Sequence, residues 1–388
     1  MSVTADSGTA YYARTARGLE WVAAAEISGR LGAAITAIQH RQIHFELPSP
    51  DPALLDLRTV DDVFISCGTI TGIDHTRASL PLLTRSALSL DLAGAMARLR
   101  RFRAVGSADP FDAVASFLGR RNYNRFEIEE ALGRAVTRRL GGAQHSHRDR
   151  SSAVVSWRVH LDKDDAVVGL RIASAPLHRR SYKGAAPPGT LHPPVAAAMA
   201  LIGGLQPHGL LVDPCCGAGT IGIEAARLQP ELHPLLLDLN PVAARMARDN
   251  ARAAACSIRL AVADAGQLPL GYRAVDRVVC NPPWDRAVQT GGSLRDGAEP
   301  LWRELARVLH SEGRAVVLCE EVEPSQLIRA GLNIVLGCRI RLLGRWTNLS
   351  VLLPESHDDP APFDPYGQLG AELLTSWKTH LDNDRPHG

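Results

Sequence analysis

The sequence predicts an α/β protein in which a doubly wound, mostly parallel sheet follows an α+β front module. Three observations carry this. From Leu191 onward, strand and helix patterns alternate, the signature of βα units. Several of those strands end in an acid or an amide: Asp213, Asp238, Asp264 and Asn281. Ahead of Leu191, short strands mix with amphipathic helices in no repeating order. With 388 residues, 45% of them hydrophobic and 22% charged, the chain is long enough for two or three cores.

Taken in order, "YYARTA" reads as a strand, and "LEWVAAAEISGRLG" carries apolar residues at helical spacing with Gly near its end. "QIHFEL" alternates as a strand does, and "VDDVFISCG" reads as a helix running into a strand. "RFEIEEALGRAVTRRLG" is an amphipathic helix, and "AVVSWRVHLDKDDAVVGLRIAS" is a hairpin turning at "DKDD". "APLHRRSYKGAAPPGTLHPP" is rich in Pro and Gly and marks a linker.

Beyond it come helix "PVAAAMALIGGL", strand "GLLVDP", helix "TIGIEAARL", strand "HPLLLDL", helix "PVAARMARDNARAA" and strand "IRLAVAD". Strand "DRVVCN", helix "AEPLWRELARVL" and strand "GRAVVLCE" follow, and "NIVLGCRIRLL" with "WTNLSVLLP" closes the sheet as an edge hairpin. After Pro354 the acidic tail reads as poorly ordered, apart from one helix near Leu373.

Formal net charge is +2, which demands no polyanionic partner. Its distribution says more. Between Arg98 and Arg150 stand twelve Arg and no Lys against six Asp or Glu, and the planar guanidinium suits phosphate recognition. No apolar run reaches the length of a membrane span, and the start lacks the pattern of a secretion signal. Seven Cys without C-x-x-C spacing argue against a disulfide framework or zinc ribbon. A cytoplasmic chain with reduced thiols and no bound metal is expected.

In open parallel sheets, ligands sit at the carboxyl ends of the strands. After Asp213 comes "PCCGAGT", where Gly217 and Gly219 let the backbone turn tightly and approach a ligand before a helix starts at Thr220. Asp238 is placed to accept from ribose hydroxyls and Asp264 from an adenine amine. Gly217-Ala-Gly219-Thr-Ile-Gly222 matches a dinucleotide fingerprint formally, but Asn281-Pro-Pro-Trp284 has no role in hydride transfer. It fits amine methylation, so the expected cofactor is S-adenosylmethionine. An exocyclic base amine is a poor nucleophile, its lone pair being delocalised into the ring. The Asn281 side-chain carbonyl and the Pro282 main-chain carbonyl together would accept both N–H hydrogens and localise that pair. Trp284 would stack the flipped base, worth roughly 1–3 kcal/mol.

"LLVDPCCGAGTIGIEAA" with "NPPW" resembles the class I S-adenosylmethionine-dependent methyltransferases that act on amino groups. "LHRRSYKGAAPPGTLHPPVAAAMALI", "YYARTARGLEWVAAAEISGRLGA" and "LLDLRTVDDVFISCG" are similar to the THUMP-domain RNA guanine-N2 methyltransferases. That resemblance implies a ferredoxin-like domain at 1–85, a THUMP-like RNA-binding domain at 86–175 and a linker at 176–190. A Rossmann-like methyltransferase domain at 191–355 and a tail at 356–388 complete the division. It further implies that Asp213, Cys215, Gly217, Gly219 and Thr220 hold the methionine part of the cofactor. Asp238 and Leu239 would meet its ribose, Asp264 and Ala265 its adenine, and Thr190 and Leu191 would cover it. Asn281, Pro282 and Trp284 match the catalytic clamp, with Asn281 also beside the cofactor. RNA, above all tRNA, is the implied partner, and Arg120, Arg121, Arg179, Arg180 and Lys183 are its candidate contacts. Adenine-N6 methylation of RNA or DNA, glutamine-N5 methylation of protein, and a catalytically silent RNA-binding module stand as alternatives.

Overall fold

The computed structural model describes residues 8–106, 109–144, 153–184, 189–283, 291–320 and 323–355. Two seven-stranded sheets organise them. The first contains β1 (Thr9–Arg14), β2 (Ala34–Gln39), β3 (Gln42–Leu47), β4 (Asp62–Ile70), β5 (Phe111–Phe117), β6 (Val155–Asp162) and β7 (Asp165–Arg171). Its order is β2-β3-β1-β4-β7-β6-β5, antiparallel except where β5 meets β6. Helices α1 (Glu20–Leu31), α2 (Ser79–Ala87), α3 (Leu92–Leu99) and α4 (Arg125–Leu140) connect these strands.

Strand alternation decides which face the helices cover. Tyr11 and Ala13 of β1, Val63 and Ile65 of β4, and Trp157 and Val159 of β6 enter the main apolar core, with Ile27 of α1 and Leu132 of α4. The helix α4 starts where the sequence signals it: the Asn124 side chain accepts from the Glu127 N–H, and Glu127 reaches back to the Asn124 N–H. The expected helical start of "VDDVFISCG" is instead strand from Asp62, because β1 and β7 hydrogen-bond to β4 on either side. The expected boundary at residue 85/86 falls between β4 and β5 of this seven-stranded sheet, in which β4 pairs with β7.

The second sheet is the doubly wound one. It holds β8 (Leu211–Asp213), β9 (Leu235–Asp238), β10 (Arg259–Val262), β11 (Val275–Cys280), β12 (Leu309–Cys319), β13 (Leu332–Leu342) and β14 (Arg345–Pro354), in the order β10-β9-β8-β11-β12-β14-β13. The first five strands of that order run parallel, and β13 and β14 close the edge as an antiparallel hairpin. Helices α5 (Pro193–Gly203), α6 (Thr220–Leu228), α7 (Pro241–Ala253), α8 (Glu299–Val308) and α9 (Pro324–Ala330) supply the crossovers and flanks. The chain leaves β8 toward β9 and β10, then returns to β11 on the other side of β8. That reversal opens the crevice in which such sheets bind ligands.

The two sheets are not separate bodies. α5 is apolar all round and almost wholly buried, as a helix inside a core must be. Its Val195 and Met199 join the core that holds Tyr11 and Trp157, and so do Ile340 and Val351 of the edge hairpin. The Arg341 N–H donates to the Arg17 carbonyl at 2.9 Å. Gly18, at φ 94°, lies so close that a Cβ there would stand 2.2 Å from the Arg339 carbonyl oxygen. The expected helix near Leu373 lies outside the described residues.

Candidate active site

Asp213 ends β8 fully buried, with one carboxylate oxygen accepting from the Cys215 N–H at 3.2 Å. Its other oxygen is buried and has no hydrogen-bond partner. Burial, aided by the charge of Asp238, raises its pKa well above the usual carboxylate range, so a cationic partner at that oxygen would be strongly favoured. The turn that follows is shaped by its glycines. The Gly219 N–H donates to the Cys216 carbonyl at 2.8 Å. Gly219 sits at φ 79°, and a Cβ there would meet that of Ala247 in α7 at 2.9 Å. Gly217, at φ 53°, faces open space, with no heavy atom within 4 Å of where its Cβ would be. One glycine is thus required for packing, and the other leaves backbone open to a ligand. Thr220 is buried at the start of α6.

Asp238, ending β9, accepts from the Gly217 N–H and the Asn240 N–H, both at 2.8 Å. One bond falls on each oxygen, which fixes the plane of the carboxylate and leaves lone pairs for two hydroxyls. Leu239 beside it is 46% exposed, an apolar face at the mouth of the crevice. Asp264 follows β10 and is more occupied than its sequence position suggests. It accepts from the Gly266 N–H at 2.9 Å and from the N–H and hydroxyl of Ser293 at 2.8 and 3.0 Å. Burial opposes ionisation, but the Ser293 and Gly266 donors outweigh it and hold this carboxyl below its usual range. Ala265 is buried in the core beneath.

Asn281 and Pro282 follow directly on β11, which runs beside β8 with Val278 opposite Val212. Asn281 therefore stands past the end of the neighbouring strand, level with the turn after Asp213. It is half-buried, and its amide makes no hydrogen bond among the described residues, while Pro282 is buried. Trp284 lies outside the described residues. Thr190 and Leu191 are half-buried just ahead of α5, and the Lys183 ammonium donates to the Leu191 carbonyl at 3.0 Å.

Three of the five candidate RNA contacts are engaged inside the protein. Lys183 holds that Leu191 segment. Arg121 donates to the Ile73, Asp74 and Lys163 carbonyls and to the Tyr123 hydroxyl. Arg180 donates to Glu224 and to the Arg58 carbonyl. Arg120 and Arg179 are exposed.

Sequence reasoning missed Glu224, which is fully buried on α6 one turn past the glycine loop. Arg58 reaches it with Nε at 2.6 Å and Nη2 at 2.9 Å, Arg180 Nε at 3.1 Å and the Tyr182 hydroxyl at 2.7 Å. It also missed Asn250 of α7, whose side chain donates to the Ala218 carbonyl of the loop at 2.9 Å. Neither stands at a strand end, so no spacing marks them.

No metal was expected, yet one group among the described residues has ligand-like spacing. Asp61, His178 and His192 bring their ligand atoms within 4.8 Å of one another. His192 Nε2 lies 3.0 Å from Asp61, and the Arg41 guanidinium donates to the same carboxylate. A cavity of about 340 Å³, lined by Arg30, Arg58, Arg227 and Cys256 among others, opens at the seam between the two halves. It contains none of the expected cofactor residues, so the strand-end crevice, not the cavity, is the candidate site.

The crevice therefore offers an unpartnered buried acid, an open glycine backbone and an oriented second acid. These fit a ligand with an ammonium group and a ribose. The family profile described as "RMKL-like, methyltransferase domain" matches residues 180–329, which span this whole arrangement. Residues 180–329 thus resemble an RMKL-like methyltransferase domain.

The tRNA (guanine(6)-N2)-methyltransferase of Thermus thermophilus is 33% identical over 178 residues, 45% of this chain and 52% of that protein. The U6 snRNA (guanine-N(2))-methyltransferase THUMPD2 of Mus musculus is 28% identical over 207 residues, 53% of this chain and 37% of that protein. The chain thus spans about half or less of the length of these curated relatives. The crystal structure of TrmN from Thermus thermophilus superposes with a TM-score of 0.70 at 26% identity, over 89% of this chain and 99% of that one. The resemblance to TrmN takes in both sheets, so the front module and the methyltransferase domain share its fold. No helix of the described residues is long and apolar enough to cross a membrane.

Proposed function

We propose that the chain methylates the exocyclic N2 amine of a guanosine in RNA, most of all in tRNA. The observation that carries this is Asn281: an amide at the end of β11, level with the glycine turn, that makes no hydrogen bond among the described residues. An Asn amide committed to the fold would be satisfied when half-buried. Left free, its oxygen accepts one amine hydrogen while the Pro282 carbonyl, held by two successive proline rings, accepts the other. This draws the nitrogen lone pair out of conjugation and aims it. S-adenosylmethionine supplies an electrophilic methyl group. No strong base is needed, because the amine proton becomes acidic once the nitrogen has become cationic.

Asp213 would hold the ammonium of the donor, Asp238 its ribose, Leu239 and the Asp264–Ser293 wall its adenine, and Thr190 and Leu191 its cover. Trp284 would stack the base, and Arg120 and Arg179 are exposed to meet RNA phosphates. The names of the Thermus and Mus musculus relatives support guanine-N2 chemistry on RNA. The test is incubation of bulk RNA and, separately, DNA with the chain and labelled donor, followed by mass spectrometry of nucleosides. N2-methylguanosine supports the reading. N6-methyladenosine or label in protein alone would replace it with one of the alternatives.

A further inference from the structure

The helices cover only one face of the first sheet. On the other face β1 presents Tyr12 and Arg14, β3 His44, β4 Asp62 and Phe64, β6 Arg158 and His160, and β7 Arg171. This face is not a flat solvated surface. Tyr12 and Phe64 stack with ring centroids 4.9 Å apart, and Tyr12, Arg14 and His160 are buried. The Tyr12 side chain leans across β4 onto β7, where a Cβ on Gly169 would stand 2.7 Å from its hydroxyl oxygen, and Gly169 is the register partner of Arg158. On β6 and β5, Arg158 Nη2 donates to the Ser116 hydroxyl at 3.2 Å, and that hydroxyl lies 2.8 Å from His160 Nδ1.

The charges on it do not balance. Arg171 Nε pairs with Asp62 at 2.6 Å, and Arg41 Nη2 pairs with Asp61 at 3.0 Å. Arg14 and Arg158 are left with no carboxylate partner. Buried Nη1 of Arg14 and buried Nε of Arg158 have no hydrogen-bond acceptor, and the Tyr12 hydroxyl and His160 Nε2 beside them are also unpartnered. Burial and the charges of Arg158 and Arg41 push the Arg14 pKa down to about 9, which still leaves it cationic at neutral pH. An uncompensated buried guanidinium is costly, and an apolar packing role would be served better by an apolar side chain. The Arg41 side chain, which adds to the positive charge near Arg14, is 40% exposed.

We propose that this face is a phosphate-binding site in which Arg14 and Arg158 grip one phosphate group, with the Tyr12 hydroxyl and His160 as further donors. Two unmatched guanidiniums suit an oxyanion of about two charges, and their forks suit its oxygens. The site lies on the sheet that carries no part of the methyl-transfer crevice, so it goes beyond the reaction proposed above and does not require it. Free phosphate or a monophosphate would bring the same chemistry as an RNA backbone.

The test uses the full chain. Thermal unfolding is followed in phosphate-free buffer and with inorganic phosphate, and binding of a labelled tRNA transcript is followed across a salt series. The wild-type midpoint should rise with phosphate. Arg14→Gln and Arg158→Gln should each abolish that rise and also raise the phosphate-free midpoint, since each removes an unmatched buried charge. Arg158→Lys should keep the rise. Donor binding should stay at the wild-type value throughout. If the phosphate comes from RNA, each Gln variant also flattens the slope of log affinity against log salt by about 0.7–0.9. If it comes from a free phosphate, the RNA curve is unchanged while the phosphate effect is lost. The proposal is overturned if phosphate does not stabilise the wild type and the RNA slope is unaltered in both variants. It is equally overturned if the Gln variants start at a lower midpoint and still respond to phosphate, the behaviour of purely structural arginines.

Discussion

Glu224→Ala is the most informative single change to the architecture. Glu224 is fully buried and accepts from Arg58, Arg180 and Tyr182, groups that belong to the front module, the linker and the linker respectively. Its removal strands two guanidiniums whose side chains are 11% and 8% exposed. Breaking a buried ion pair from one side costs about 3–5 kcal/mol, and two stranded cations put this site at the upper end. For a large cooperative unit each kcal/mol moves the midpoint by roughly 2–4 °C, so a fall on the order of 10 °C is expected. The measurement is calorimetry or fluorescence-monitored unfolding of the full chain beside Glu224→Gln, which keeps the shape and loses the charge. The variant should also lose donor affinity, because α6 carries the glycine loop at its start. A midpoint within about 1 °C of wild type would show that the network does not join the halves energetically.

Other expectations concern the site and its pH response. Asn281→Ala should reduce turnover at least about a hundredfold while leaving donor affinity within about twofold, read by single-turnover kinetics and calorimetric titration. Asp238→Ala should weaken donor binding by about 1–3 kcal/mol through the lost ribose hydrogen bonds, and unchanged affinity would remove it from the site. Arg120→Glu should lower RNA affinity at unchanged stability, whereas Arg121→Glu should mainly lower stability, since Arg121 ties three main-chain carbonyls together. Burial pushes the His44 and His192 pKa values down to about 4, and that of His160 to about 2. A depressed histidine takes up its proton more readily when unfolded, so stability present above about pH 6.5 is lost as the pH falls toward 4. Unfolding midpoints measured across that window should fall, and His160→Gln should flatten the decline.

Much of the second half was legible because its central parallel strands β8 and β11 are buried and read as apolar runs, and because the strands' carboxyl ends carry acids or an amide. Asp213, Asp238, Asp264 and Asn281 all stand at or just past strand ends, as expected. The front half was less legible. The start of β4 looked helical by spacing alone, and nothing local reveals that two neighbours hydrogen-bond to it. Strand β5 and helices α2 and α3 went unmarked for a similar reason: their apolar residues face a core assembled from distant strands. Arg180 and Lys183 lie in a basic, Pro-rich segment that reads as an RNA grip. Their donors turn inward because Glu224 and the Leu191 carbonyl wait there, and a sequence records a charge without recording what it meets. Asp264 likewise reads as an acceptor for a base, while the loop bearing Ser293 already occupies part of its carboxylate.

The all-apolar helix α5 has a practical consequence for anyone dissecting this chain. Cut free at residue 191, the second half would begin with a greasy rod whose usual neighbour α1, and the core they share, had been left behind. The edge hairpin would lose its seat against Arg17 and Gly18 in the same cut. Such a fragment should come out of cells aggregated, and recombining it with front modules from relatives should succeed only when α1 and α5 travel as a matched pair.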